Sequence, residues 1–350
     1  MRLTAFFHPL ATLASVTMLA ALSLAGCGGT TPARPDAGTQ PALSSSAPPV
    51  RIGIALGGGA AKGFAHIGVI KMLEANGFAP AVVSGTSAGS VVGALYASGM
   101  NAFEMQEKAV ALDEAKIRDL QLSSGGLVLG QKLEDYVNEQ VRRKPLEQMA
   151  KPFVVVATRL EDGERTVFAR GNTGQAVRAS SSVPGVFQPV TIGKYHFVDG
   201  GIVSPVPVDA ARQLGADIVI AVDISNKARG QTPGDMLGTL GQSIAIMGQK
   251  LGQAELARAD VIIRPQVLDI GSADFSQRTN AILEGEKAAL AVMPQIRERV
   301  AQLQAEHANA ARAAQQKAAE AQYQTCLEKR SSLQKLAGMA RLDDSCTAPK

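Results

Sequence analysis

"AVVSGTSAGSVVGALYASGM", residues 81–100, decides the fold. It opens on a short apolar run, closes on a helix-compatible run of small and apolar side chains, and holds Ser87 between Gly85 and Gly89 at the junction. A buried strand that passes straight into a helix is the building unit of a parallel α/β sheet. G-x-S-x-G at such a junction is the pattern of a nucleophile elbow, a strained turn that lifts a serine hydroxyl out of the sheet. Gly85 and Gly89 are needed there because neighbouring backbone comes too close for a Cβ. Ser90, Gly93 and Ala94 keep the next helix thin enough to lie on the sheet.

Outward from this stretch, short β-branched runs alternate with helix-compatible segments. Residues 50–56, 81–84, 153–160, 166–170, 217–225 and 260–265 read as strands, several apolar throughout, as central strands covered on both faces must be. "AHIGVIKMLEANG" and "VVGALYASG" are the helices that follow the first two. The expected fold is α/β with a mainly parallel central sheet, in one domain over residues 50–298. A hydrophobic content of 46% in 350 residues supports a sizeable core, and a net charge of +4 with scattered basic residues indicates no nucleic-acid surface. Residues 299–350 are rich in Ala, Gln, Glu, Lys and Arg and read as a helical C-terminal extension, with Cys326 and Cys346 placed to close a hairpin.

The first 26 residues read as an export signal: a positive start, an apolar stretch too short for a convincing membrane span, and "LAGC" ending in Cys27. This ending resembles the bacterial lipobox, which implies a diacylglycerol on the Cys27 thiol. Residues 27–49 are Gly/Ser/Thr/Pro-rich and form a tether of about 25 Å r.m.s. span as a flexible coil. Cys326 and Cys346 then remain as an even pair in an exported protein, where a disulfide persists.

"LGGGAAKGFAHIG", residues 56–68, places three glycines between a strand and a helix, so that backbone N–H groups and the helix N-terminus favour an anion. No acid follows at the end of the second strand, against a dinucleotide site, and Gly63 after Lys62 fails the Walker pattern. The histidines do not supply a base for Ser87. His8 leaves with the leader, His307 lies in the tail, and His66, at i+4 from Lys62, is placed to pack or cap. His196 is three residues from Asp199, so in an extended run the two point to opposite faces. A carboxylate remains. Asp199, before Gly200 and Gly201, ends a short apolar run, and in a partly desolvated site it would gain proton affinity and could accept the serine proton.

"GGGAAKGFAHIGVIKMLE", "GTSAGS", "VRASSSVPGVFQPV" and "VDGGIVSPVPV", in that order, resemble the bacterial branch of the patatin-like phospholipase family over roughly residues 50–298. The resemblance implies a three-layer sandwich and a Ser-Asp dyad, Ser87 as nucleophile and Asp199 as base, cleaving fatty acyl esters through an acyl-enzyme. It implies an oxyanion hole from the N–H groups of Gly58, Gly59 and Ala60, where the plant members usually carry glycine in place of Ala60. Alanine still donates if its φ stays negative. Lys62 occupies the family's basic position, to steady the loop or favour an anionic head group. No metal or cofactor is implied. Membrane lipid is the expected anchor and substrate, in the bacterial cell envelope. The alternatives are a soluble-ester or thioester hydrolase with the same site, and a non-catalytic lipid-binding lipoprotein.

Overall fold

The computed structural model describes residues 48–337, apart from 118, 124–125 and 226–233, together with Cys346 and Ala348. The expected leader, Cys27 and the tether up to residue 47 lie outside the described residues. The strands are β1 Ile52–Leu56, β2 Val82–Thr86, β3 Leu120–Ser123, β4 Gly126–Val128, β5 Phe153–Arg159, β6 Arg165–Phe168, β7 Val190–Ile192, β8 Tyr195–Asp199, β9 Ile218–Val222 and β10 Val261–Ile263. The helices are α1 Ala65–Ala75, α2 Ala88–Ala97, α3 Ala102–Val110, α4 Gln131–Gln140, α5 Thr173–Ser180, α6 Val208–Gln213, α7 Met236–Leu256 and α8 Arg278–Ala337.

The main sheet runs β10-β9-β1-β2-β5-β8-β7, with β6 also on β5. From β10 to β5 every pairing is parallel. The pairings of β6, β7 and β8 are antiparallel. β1 and β9 show why three layers form. Ile52, Ile54 and Leu56, with Ile218, Ile220 and Val222, enter one core with α1, α2 and α8. The alternate residues Ala55, Val219 and Ala221 enter a second core on the other face with α6 and Leu256 of α7. A strand whose side chains alternate between two cores must be apolar at every position.

All six expected strands are present, and β2 extends to Thr86, directly against Ser87. The hairpin β3–β4 and the short β7 escape the sequence reading. Their few residues give no apolar run to detect.

The C-terminal extension differs from expectation in where it starts. The change of composition at residue 299 is not an element boundary, because α8 begins at Arg278 and continues through Pro294 to Ala337. Its first turns belong to the core: Ala281, Ile282, Ala289, Met293, Ile296 and Val300 are buried. α1 and α8 approach so closely that a Cβ on Gly68 would lie 1.9 Å from the Ile282 carbonyl oxygen, and one on Gly285 2.0 Å from that of Ala65. Past Val300 no described side chain is buried. Cys326 and Cys346 are joined by a disulfide with a Cα–Cα distance of 6.0 Å, and residues 338–345 between them lie outside the described residues. No helix among the described residues is long and apolar enough to cross a membrane.

Candidate active site

Ser87 sits between β2 and α2 with φ 53° and ψ −126°, a backbone conformation that costs a non-glycine residue about 1–3 kcal/mol. The surroundings leave it no other choice. A Cβ on Gly85 would stand 2.6 Å from the Gly89 carbonyl oxygen, and one on Gly89 only 2.1 Å from that of Leu56. The strain is held by hydrogen bonds. Ser87 N–H donates to Ser180 Oγ at 2.8 Å, and Ser180 in turn donates to the Val156 carbonyl at 2.5 Å. The Ser90 hydroxyl and N–H both donate to the Ser87 carbonyl, at 2.6 and 2.8 Å. Ser87 also stands at the N-terminus of α2 without a side-chain capping bond, where the helix dipole favours negative charge on its oxygen.

Asp199 ends β8, which lies antiparallel to β5. Ser87 Oγ donates to Asp199 Oδ2 at 2.6 Å, and the Gly201 N–H donates to Oδ1 at 2.7 Å. The Asp199 backbone is fixed as well, its N–H donating to the Ser182 carbonyl at 2.9 Å and its carbonyl accepting from Thr158 Oγ1 at 2.8 Å. Burial pushes the Asp199 carboxyl up to about 6, against the opposing hydrogen bonds from Ser87 and Gly201. Gly200 serves close approach: a Cβ there would meet the Val156 carbonyl oxygen at 2.2 Å.

The glycine loop lies against the serine, since a Cβ on Gly58 would stand 3.1 Å from Ser87 Cβ. Of its three expected donors, Gly58 is committed elsewhere, its N–H donating to the Pro205 carbonyl at 3.0 Å. No hydrogen bond engages the N–H of Gly59 or Ala60 among the described residues. Ala60 does not keep a negative φ. It stands at +53°, in the left-handed region, at the start of the 3-10 turn Ala60–Phe64. Lys62 is fully buried, against the expectation that it meets a head group.

The histidines stand apart from this pair. His66, buried on α1, has Nε2 at 2.8 Å from the Gly57 carbonyl, so that nitrogen carries the proton. Burial pushes the imidazole down to about 4 and keeps it neutral near pH 7. His196 is exposed on β8, with Nδ1 at 2.7 Å from Glu161 Oε1. Among the described residues no cluster of three or more His, Cys, Asp or Glu side chains is placed to hold a metal ion.

Two buried polar residues, Ser180 and Glu255, have no part in the sequence reading. Ser180 lies within "VRASSSVPG", a stretch that carries part of the resemblance without an assigned role. Glu255, buried on α7, leaves no signal in the sequence at all.

Residues 54–212 match the sequence profile of the family described as patatin-like phospholipase. An uncharacterized NTE family protein of Mycobacterium tuberculosis is 35% identical over 188 residues, covering 53% of this chain and 52% of its own. The human patatin-like phospholipase domain-containing protein 6 is 32% identical over 184 residues, 50% of this chain and 13% of that protein. This chain therefore matches about half the length of the mycobacterial relative and a small part of the human one. Among solved structures, VipD from Legionella pneumophila superposes with a TM-score of 0.41 at 16% identity, over 71% of this chain and 67% of that one. Residues 54–212, which contain Ser87, Asp199 and the glycine loop, are the part of this chain that is similar to the patatin-like phospholipase family.

Proposed function

We propose that this protein is a serine lipid acyl hydrolase, of phospholipase A or lysophospholipase type, working through a Ser87–Asp199 dyad. The observation that carries the reading is the 2.6 Å hydrogen bond from Ser87 Oγ to Asp199 Oδ2 at a strained strand-to-helix turn. Ser87 Oγ attacks the ester carbonyl carbon while Asp199 takes the hydroxyl proton. The tetrahedral intermediate collapses to an acyl-enzyme, and Asp199 returns the proton to the departing alcohol. Water, deprotonated by Asp199, then attacks the acyl carbonyl, and the proton goes back to Ser87 as the fatty acid leaves. The N–H groups of Gly59 and Ala60 are the oxyanion donors in this reading, each worth about 3 kcal/mol in the transition state. The positive φ of Ala60 turns its N–H but does not remove it, so a negative φ is not a condition of donation.

A lipid substrate is favoured by the exposed apolar side chains of α7. Met236, Leu240, Ile246, Met247 and Leu251 of α7 are exposed, and α7 reaches the site through Gly248 and Gly252, which lie against Gly201 and Pro205. A helix that touches the turn after Asp199 and also carries exposed apolar side chains suits a water-insoluble substrate better than a dissolved one. Lipidation of Cys27 would tether the enzyme to a membrane of the cell envelope that also holds this substrate.

The test is covalent labelling by a fluorophosphonate probe together with hydrolysis of phospholipid and lysophospholipid. Labelling and hydrolysis in the unmodified protein, both abolished in Ser87→Ala with its fold intact, are expected. An unlabelled protein would make it a lipid binder, and labelling that persists in Ser87→Ala would remove the nucleophile assignment.

A further inference from the structure

We infer that Glu255, on α7, is a positioning residue that holds the glycine loop, the serine turn and the turn after Asp199 in register through one short segment, Ser204-Pro205-Val206-Pro207. This inference rests on the hydrolase reading for its kinetic consequence, not for its structural one.

The segment cannot hold itself. Two of its four residues are prolines, so it has only two N–H groups and can join neither a helix nor a sheet ladder. The Ser204 N–H donates to the Gly200 carbonyl at 2.8 Å, in the turn after Asp199. The Val206 N–H donates to Glu255 Oε2 at 2.9 Å, and the Ser204 hydroxyl donates to Glu255 Oε1. Both carboxylate oxygens thus grip the segment from outside. Its carbonyls do the positioning. That of Ser204 accepts from Thr86 Oγ1 at 2.8 Å, immediately before Ser87, and that of Pro207 accepts from Ser84 Oγ at 2.8 Å. That of Pro205 accepts the Gly58 N–H at 3.0 Å, which sets the direction of the next two amides, Gly59 and Ala60.

Burial is what makes the arrangement costly to lose. Glu255 is only 4% exposed, and burial pushes its carboxyl up to about 7, opposed by the bonds from Ser204 and Val206 and by Arg165 and reinforced by Asp209. A carboxylate kept in so unfavourable a place is held there by its two donors. Removing it leaves the Val206 N–H without an acceptor inside the protein.

The experiment compares Glu255→Ala and Glu255→Gln in the full chain. Glutamine keeps the shape, can accept from Val206 N–H through its oxygen and can donate its amide to the Ser204 hydroxyl, so it is the conservative rescue. Hydrogen exchange is read first, because it needs no catalysis. The Gly58 and Val206 amides are expected to exchange at least tenfold faster in Glu255→Ala and within threefold of normal in Glu255→Gln. Kinetics on a monomeric ester then should give a kcat at least tenfold lower in Glu255→Ala with KM within twofold, and near-normal values in Glu255→Gln. Unchanged exchange at Gly58 in Glu255→Ala would overturn the inference whatever the kinetics. Faster exchange with unchanged kcat would confine Glu255 to stability and overturn the positioning role. Faster exchange in a protein that no fluorophosphonate labels would support the structural link and overturn the hydrolase reading instead.

Discussion

The role proposed for Asp199 rests on its environment. Buried at the end of β8 and pushed up to about 6, it is ionised at neutral pH yet basic enough to take a proton from a serine that already points at it. The proposed reaction needs the carboxylate, so kcat/KM is expected to fall about tenfold per pH unit below about 6 and to be flat above it. A pH–rate profile on a soluble ester checks this, and an inflection near 4 would mean that burial does not act on this group. Stability has the opposite sign. The folded carboxyl holds its proton more tightly than the unfolded one, so stability is greatest below about 4 and declines as pH rises to about 6. Asp199→Asn should therefore lose several orders of magnitude in turnover while losing less stability than the parent protein over that same interval, as urea denaturation at several pH values would reveal.

At the scale of elements, α7 joins two unlike surfaces. Its C-terminal end puts Glu255 and Leu256 into the interior, while from Met236 to Leu251 no described side chain is buried. Met247 is 52% exposed, so an acidic substitution there disturbs little packing. Met247→Glu is accordingly expected to leave the melting temperature and the rate on a monomeric ester unchanged, and to lower the rate on phospholipid vesicles at least fivefold. Equal rates on vesicles would place the lipid-facing surface elsewhere.

For the whole molecule, α8 defines where the folded body ends. Met293, Ile296 and Val300 are core residues, and nothing described beyond them is buried. Truncation after residue 305 is therefore expected to shift the melting temperature by no more than about 2 °C, whereas truncation after residue 290 should prevent folding, since each lost core side chain is worth about 2–5 kcal/mol. Thermal denaturation of the two shortened chains decides it, and unfolding of the longer one would give the exposed part of α8 a structural role. At the other end, Cys27→Ser is expected to release the protein from membranes if lipidation is its anchor. Fractionation that still finds the variant on membranes would assign the attachment to the folded domain, through surfaces such as that of α7.

Local pattern determined much of this protein by itself. The strands β1, β2, β5 and β9 were legible because a strand covered on both faces must be apolar at every position, and the turn at Ser87 because only glycines fit where backbones nearly touch. The isolation of Asp199 from His196 followed from strand geometry alone, which sends residues three apart to opposite faces. Tertiary structure decided what depends on partners distant in the chain. The Gly58 amide is claimed by the Pro205 carbonyl, and Lys62 is buried, neither of which local sequence records. α8 enters the core before its composition changes because Gly285 and Gly68, far apart in sequence, let two helices meet. Glu255 is an ordinary helical glutamate until folding brings it to a segment too proline-rich to hold itself. Periodicity and turn chemistry are written in neighbouring residues, whereas the pairing of donors with acceptors across the core exists only once the chain has closed on itself.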